Sequence, residues 1–265
     1  MSPFLDLARC EFKMSIHRRS LWISYILLMI FFMGALVLPI SDDPARVDPV
    51  NVIALENLWQ YAGEYTFQFN VFLPIIVGIL SADRMQRDFR LGVRELQSST
   101  PLSLSTYILA KYAGVLASMF LPVFVWILGL GVLLPALGLA PWQMAYALPV
   151  ASLAITLPAF AFVTAFSLAC PLIMPLRVYQ ILFVGYWFWG NFLSPEFFPT
   201  LNGTLLTAGG SIAFNGFFGG FPARNPGPAL YTPLYASLNL VVLALCIAAV
   251  LTVLHLYLGQ KARRA

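Results

Sequence analysis

The feature that most restricts the fold of this chain is a long stretch without charge. From Tyr112 to Leu176 the sequence contains no Asp, Glu, Lys or Arg. A membrane-spanning helix needs about 20 apolar residues to cross a hydrocarbon core of about 30 Å, and its backbone polar groups must be paired within the helix. The stretch is too long for one crossing, and Gly138 to Trp142, with Pro141 between them, form a break. We therefore predict two membrane-spanning helices here.

Four further apolar blocks have the length of a membrane crossing. Only 10% of the residues are charged, against about a quarter in an ordinary soluble domain, and 60% are hydrophobic. The sequence therefore predicts an all-α integral membrane protein with a single transmembrane domain over residues 1–265. Its six transmembrane helices are expected near residues 21–41, 65–82, 112–137, 143–169, 178–195 and 230–258.

Basic residues predict the orientation of these spans. Thirteen of the fifteen Lys and Arg residues fall on one side of a six-span arrangement, and only Arg46 and Arg224 fall on the other. Cytoplasmic loops carry such an excess, so both termini are expected in the cytoplasm. The net charge of +4 reflects this bias and does not indicate a nucleic-acid partner.

Residues 3–19 have the pattern of an amphipathic helix. Apolar residues recur at spacings of three and four, and basic residues lie on another face. The apolar residues are Leu5, Ala8, Phe12 and Ile16, and the basic residues are Arg9, Lys13 and His17. Such a segment is typical of a helix that lies in the membrane interface. The alternative is an ordinary charged leader.

The second outer loop, residues 196–229, is unusual because it is nearly uncharged and rich in Gly and Phe. The run from Asn215 to Phe221 is the clearest example. A solvated loop would be more polar, so we expect part of this loop to re-enter the membrane or to pack on a partner subunit. Backbone at membrane depth must be buried in protein or line a cavity.

No catalytic or ATP-binding motif is evident. The chain lacks both G-x-x-x-x-G-K-[ST] and H-E-x-x-H. Ser211 and His255 could form a Ser–His pair only if their segments faced each other. No predicted span contains Asp or Glu, which argues against coupling to an ion gradient. Cys10, Cys170 and Cys246 have neither metal nor disulfide spacing.

Polar side chains in or beside the spans have two interpretations. They can form helix–helix hydrogen bonds, or they can form a wall that faces a substrate. The residues are Gln68, Asn70, Ser118, Thr156, Thr164, Ser167, Gln180, Asn191 and Asn239.

The segment from Asp83 to Lys111 carries the most specific pattern. It contains, in order, an acidic and a basic residue, a glycine, an acidic residue followed by leucine, a small polar run, a proline, a hydroxyl residue, a tyrosine and a lysine. These residues are Asp88, Arg90, Gly92, Glu95, Leu96, Ser99, Pro101, Ser103, Tyr107 and Lys111. Either Thr100, followed by Pro101, or Ser103 is expected to cap the next helix. This order resembles the loop after the second span in permeases of the ABC type-2 exporter family. The amphipathic leader and the six spans resemble the overall architecture of the same family.

The resemblance implies a membrane-spanning permease subunit of an ATP-binding-cassette transporter, most simply an exporter. A second permease subunit, identical or different, would complete the substrate path in the cell inner membrane. A separate cytoplasmic ATPase would hydrolyse ATP, so this chain would be no enzyme and would need no cofactor.

The resemblance also implies a cytoplasmic coupling helix between spans two and three, near Leu96–Thr106, that fits a groove on the ATPase. The coupling residues would be Asp88, Arg90, Gly92, Glu95, Leu96, Pro101, Ser103, Tyr107 and Lys111. The arginines of this loop would meet acidic ATPase residues or anionic headgroups, or would only anchor the topology. They are Arg84, Arg87, Arg90 and Arg94.

Two functions of other classes are compatible with parts of the sequence. An intramembrane enzyme would need polar catalytic residues at matching depth on facing spans. A non-transporting membrane anchor or assembly subunit would need only the spans and a docking loop.

Overall fold

A computed structural model describes residues 3–37, 53, 55–92, 102–196, 198–220 and 231–264. The secondary structure of these residues is helical throughout, without strands. The α-helices are α1 (Pro3–Ile16), α2 (Arg19–Val37), α3 (Leu58–Ser81), α4 (Asp83–Arg90), α5 (Leu104–Ala136), α6 (Met144–Ala169), α7 (Leu176–Asn191), α8 (Ser211–Phe218) and α9 (Pro233–Arg264). Short 3-10 helices cover Leu55–Asn57 and Cys170–Leu172.

Four helical segments of the described residues are long and apolar enough to cross a membrane. They are Leu55–Arg90, Leu104–Ala136, Met144–Leu172 and Pro233–Lys261. α2 supplies a shorter apolar helix, Arg19–Phe32. α7 has 16 residues, which at about 1.5 Å per residue give roughly 24 Å. The multi-pass, all-helical architecture is confirmed, and the crossings expected near residues 21–41 and 178–195 stay predictions.

The turn predicted from Gly138 to Trp142 lies between α5 and α6. Gly138 has a φ of +73°, which is the left-handed conformation that glycine adopts without steric cost. The Leu139 carbonyl accepts a hydrogen bond from the Ile53 amide at 3.0 Å. The uncharged stretch therefore forms two helices joined by a tight turn.

The centre of the bundle is formed by α3, α5 and α6. Leu73 of α3, Met119 of α5 and Phe160 of α6 are buried in one continuous apolar cluster. α7 packs on α3 where a glycine leaves room, because a Cβ on Gly78 would collide with the Phe183 ring. α9 in contrast exposes much of its apolar surface. Such outward-facing apolar side chains are what a lipid environment requires.

α1 packs along α5 with a face that is polar. Glu11 and Ser15 are its buried residues, whereas Leu5 of the predicted apolar stripe is 56% exposed. The close approach depends on Gly114, because a Cβ there would lie 2.5 Å from the Ala8 carbonyl oxygen. The sequence pattern predicted a helix in the membrane interface, and the structure shows that this helix also buries Glu11 against a partner on α5.

Three buried asparagines of the same chain hold the loop segment 198–210 against the bundle, and residues 207–210 of this segment are buried. The Asn191 carboxamide oxygen accepts from the Ala208 and Gly209 amides at 2.8 and 2.7 Å. The amide groups of Asn70 and Asn239 donate to carbonyls of the same segment. The predicted role of these asparagines in internal hydrogen bonding is confirmed, although their partners include a loop as well as helices.

α8 follows this segment and begins and ends at left-handed glycines. Gly210 has a φ of +90° and Gly219 a φ of +85°. Ile212 and Phe214 of α8 are fully buried, and Gly216 packs against Ala236 of α9. The loop thus packs on its own chain, and its re-entry into the membrane stays a prediction.

Candidate functional site: a buried polar junction

Lys111 lies in the third turn of α5 and is only 1% exposed. Its ammonium nitrogen donates to Glu11 Oε1 of α1 at 2.6 Å and to Asp88 Oδ2 of α4 at 2.7 Å. A buried ammonium group is costly unless it is paired and hydrogen-bonded. These two carboxylates supply the pairing, so one lysine joins three helices.

Asp88 accepts a second hydrogen bond on the same oxygen, from the Tyr107 hydroxyl. Tyr107 and Lys111 are four residues apart on α5 and therefore lie on one face of the helix. The lysine nitrogen is also 5.7 Å from the centre of the Tyr107 ring. We call Glu11, Asp88, Tyr107 and Lys111 the polar junction.

Local backbone geometry places the α5 members of the polar junction. Ser103 has an extended conformation, and its side chain accepts from the Thr106 amide at 3.1 Å. This N-cap begins α5, so Tyr107 and Lys111 fall in its first three turns. The predicted cap at Ser103 is confirmed, and α5 begins eight residues before the predicted start of the third span at 112.

On the other side of the connecting segment, α4 ends at Arg90 and Gly92 adopts a φ of +65°. A side chain on this residue would be strained, which explains why glycine suits it. Asp88 lies in the last turn of α4 and points to α5. The polar junction thus ties the residues just before the segment 93–101 to those just after it.

A second ion pair lies at the start of α4. Arg18 donates to the two carboxylate oxygens of Asp83 at 2.9 and 3.2 Å. Since Arg18 precedes α2 by one residue, this bidentate pair fixes the corner between α1 and α2 against the end of α3. Bidentate pairs between arginine and carboxylate add geometric specificity.

Arg84 is buried beside these groups, which corrects one sequence-based expectation. It is 4% exposed, and within the described part of the chain its Nε and Nη2 have no hydrogen-bond partner. Glu11 and Asp83 attract its charge, and Arg18 repels it. Arg84 therefore does not lie on a surface open to a partner protein, whereas Arg87 and Arg90 are exposed.

The predicted coupling residues fall into three groups. Asp88, Tyr107 and Lys111 contact one another, while Ser103, Arg90 and Gly92 flank the connecting segment. The remaining coupling residues, Glu95, Leu96 and Pro101, lie outside the described residues. The loop arginine Arg94 also lies outside them. Of the predicted coupling helix, Leu104–Thr106 form the first turn of α5.

Glu11 was missed from the sequence. It is the acidic residue in the middle of α1, where a purely interfacial helix has no need for a carboxylate. A carboxylate at this position could have indicated that Glu11 pairs with a cation. The sequence did not indicate that the partner is Lys111, a hundred residues away.

The geometry does not support the Ser–His pair considered above. α8 packs beside Ala236, and His255 lies 19 residues further along α9, which corresponds to about 28 Å of helix. Within the residues that the structure describes, no group of three or more His, Cys, Asp or Glu side chains could hold a metal ion. The polar junction can transmit a displacement between helices, but it contains no activated nucleophile.

A family model described as ABC-2 family transporter protein matches residues 5–195, which include most of α1, all of α2 to α7 and the whole polar junction. Neither the curated proteins nor the solved structures that were searched gave a match.

Proposed function

Because this chain belongs to the ABC-2 family of transporter proteins, and so is a membrane permease component of an ABC transporter, we propose that it drives export with two partners. One is a second permease subunit, identical or different, which completes the substrate path. The other is a cytoplasmic ATPase that supplies the energy, since permeases of this family are not themselves catalytic.

The observation that carries the coupling proposal is the polar junction. It joins Asp88, which precedes the segment 93–101, to Tyr107 and Lys111, which follow it. That segment contains Glu95, Leu96 and Pro101, the residues that we propose to contact the ATPase. Because both ends of the segment are tied together, a push on it would displace α4 and α5 as one unit.

Glu11 extends this unit to α1. Its ion pair with Lys111 is buried, and breaking a buried pair by removing one partner costs several kcal/mol, about 3–5. The pair therefore resists separation of α1 from α5. We propose that movement of the ATPase reaches the membrane helices through α4, α5 and α1 together.

The orientation is proposed from charge. The polar junction lies near the ends of α4 and α5 that carry the predicted cytoplasmic arginines. Arg87 and Arg90 are exposed there, where they can meet acidic residues of an ATPase or anionic headgroups. We propose that α2 and α7 provide the remaining two crossings, with both termini in the cytoplasm and the chain in the cell inner membrane.

A pull-down tests the partner assignment. The tagged full-length chain, expressed with its native neighbours, is extracted in mild detergent, and the co-purified proteins are identified by mass spectrometry. We expect a soluble protein with a Walker-type ATP site. We also expect the double variant Glu95→Ala/Pro101→Ala to lose it, whereas Arg177→Ala, which removes an exposed charge from the start of α7, should retain it.

The outcomes separate the candidate functions. Recovery of the chain alone, or only with itself in several detergents, would contradict the ATPase assignment. Recovery of the ATPase with the double variant would leave the partner in place and reject the proposed contact. Loss of transport in the double variant at an unchanged membrane level would distinguish a permease from a non-transporting anchor.

A further inference from the structure

An open groove of about 480 Å³ runs between α1 and α5. It is lined by Phe4, Leu5, Ala8, Arg9, Phe12, Ala113, Gly114 and Ala117. We call this the α1–α5 groove. Its volume lies in the range of small-molecule sites, about 300–1,000 Å³. Among the described residues that line it, Arg9 is the charged one.

The floor of the groove exists because α5 presents its smallest residues there. Ala113, Gly114 and Ala117 lie within two turns of α5 and carry at most a methyl group. Gly114 lets α1 approach so closely that a Cβ would lie 2.7 Å from the Glu11 Cβ. The aromatic and aliphatic side chains of α1 form the opposite wall, so a long apolar chain could lie between the helices.

The charge at the groove has one sign. Arg9 is exposed at its rim, and Lys13 is exposed one turn further along α1. Glu11 is buried on another face of α1, where it pairs with Lys111. Asp6 and Lys13 are exposed on α1 and do not line the groove. An occupant of the groove therefore meets apolar side chains and the cation Arg9, with Lys13 one turn further along α1.

We propose that the α1–α5 groove binds one phospholipid with an anionic headgroup. An acyl chain would lie against Ala113 and Ala117, and the phosphate would meet Arg9 and Lys13. Two observations select this occupant over an apolar peptide or a second copy of the chain. One wall of the groove is α5, which is long and apolar enough to cross a membrane. The other wall carries Arg9, a cation of the kind that attracts anionic lipids at a membrane surface.

Such a lipid would hold α1 on α5 next to the polar junction, because Gly114 of the groove lies three residues, or about one helical turn, after Lys111 on α5. The site is independent of which substrate is transported and of which ATPase binds. It makes the composition of the membrane a determinant of how firmly α1 is docked.

Thermal unfolding of the detergent-purified full-length chain tests the proposal. A ligand that binds only the folded state raises Tm as its concentration increases, so titrations with phosphatidylglycerol and phosphatidylcholine give apparent affinities. Phosphatidylglycerol should raise Tm more than phosphatidylcholine does. Arg9→Gln/Lys13→Gln should weaken its apparent affinity by about fivefold for each charge removed.

The control Arg177→Gln removes one exposed charge elsewhere and should leave the affinity unchanged. Ala117→Phe should remove the advantage of phosphatidylglycerol by filling the groove, and Ala117 is exposed enough to accept a larger side chain. Inorganic phosphate alone should have no effect on Tm, because it lacks the acyl chain.

Three results would overturn the proposal. The first is equal stabilisation by phosphatidylglycerol and phosphatidylcholine. The second is an equal loss of affinity for phosphatidylglycerol in Arg177→Gln and in Arg9→Gln/Lys13→Gln. The third is an unchanged preference for phosphatidylglycerol in Ala117→Phe. A change of oligomeric state in Ala117→Phe on size-exclusion chromatography, with lipid preference intact, would instead assign the groove to a second copy of the chain.

Discussion

Lys111 and Glu11 lie a hundred residues apart in the sequence and 2.6 Å apart in the structure, measured from Nζ to Oε1. The pair connects the N-terminal helix to the first long membrane-spanning helix after the connecting segment 93–101. Both side chains are buried, so the pair is not a surface contact that salt would screen away. It makes α1 a structural part of the permease rather than a leader that rests on the membrane.

Lys111→Met should destabilise the protein by about 3–5 kcal/mol, because Glu11 would remain buried without its cation and Asp88 would keep only the Tyr107 hydroxyl. Thermal unfolding in detergent measures the loss. The triple variant Glu11→Leu/Asp88→Leu/Lys111→Met should recover most of it, since an apolar replacement of a buried ionic network is often neutral. An unchanged Tm in the single variant would contradict the burial of the network.

Gly114→Ala should destabilise the contact between α1 and α5, because the added methyl group meets the Ala8 carbonyl at 2.5 Å. Gly129→Ala is a matched control on the same helix, since a Cβ there meets nothing within 4 Å. The control should gain about 0.5–1 kcal/mol from helix propensity. Opposite shifts of Tm are expected, and equal shifts would argue against the close approach.

Asn191→Ala should destabilise the loop segment 198–210 by about 1–3 kcal/mol, because the buried Ala208 and Gly209 amides lose their acceptor. Hydrogen exchange should show faster exchange at these two amides. Asn202→Ala removes an exposed hydrogen bond in the same segment and should leave them protected. Equal exchange in the two variants would show that Asn191 does not hold the segment.

Ser103→Ala should cost about 0.5–2 kcal/mol through loss of the N-cap of α5, whereas Ser103→Asp, whose carboxylate also accepts from the Thr106 amide, should be close to neutral. Thermal unfolding measures both. Ser105→Ala, an exposed position two residues later, serves as the control. A loss of stability as large in Ser105→Ala would show that the effect belongs to the helix as a whole.

The sequence predicted the features that depend on local chemistry. Gly138 and Pro141 indicated the turn within the uncharged stretch, and Ser103 was one of two predicted caps for α5. Both follow from short-range rules of backbone conformation. The multi-pass character followed in the same way from the length of the apolar blocks.

The features that depend on tertiary contacts were harder to predict. Asp88, Tyr107 and Lys111 were selected as a pattern, but only the structure shows that they bind one another and that Glu11 completes them. Arg84 had the appearance of a surface arginine because charged residues are rarely buried. No local rule reveals which helix will cover a residue, so burial of Arg84 could not be read from the pattern.

The distance in sequence between Glu11 and Lys111 has a consequence for biosynthesis. A chain is made from its N-terminus, so the carboxylate of Glu11 emerges long before the ammonium group that neutralises it. α1 therefore cannot form this ion pair until the first three turns of α5 have been synthesised. α1 thus forms this contact only after α2, α3 and α4 have been made, and a nascent chain that stops before Lys111 holds Glu11 without the cation that pairs with it.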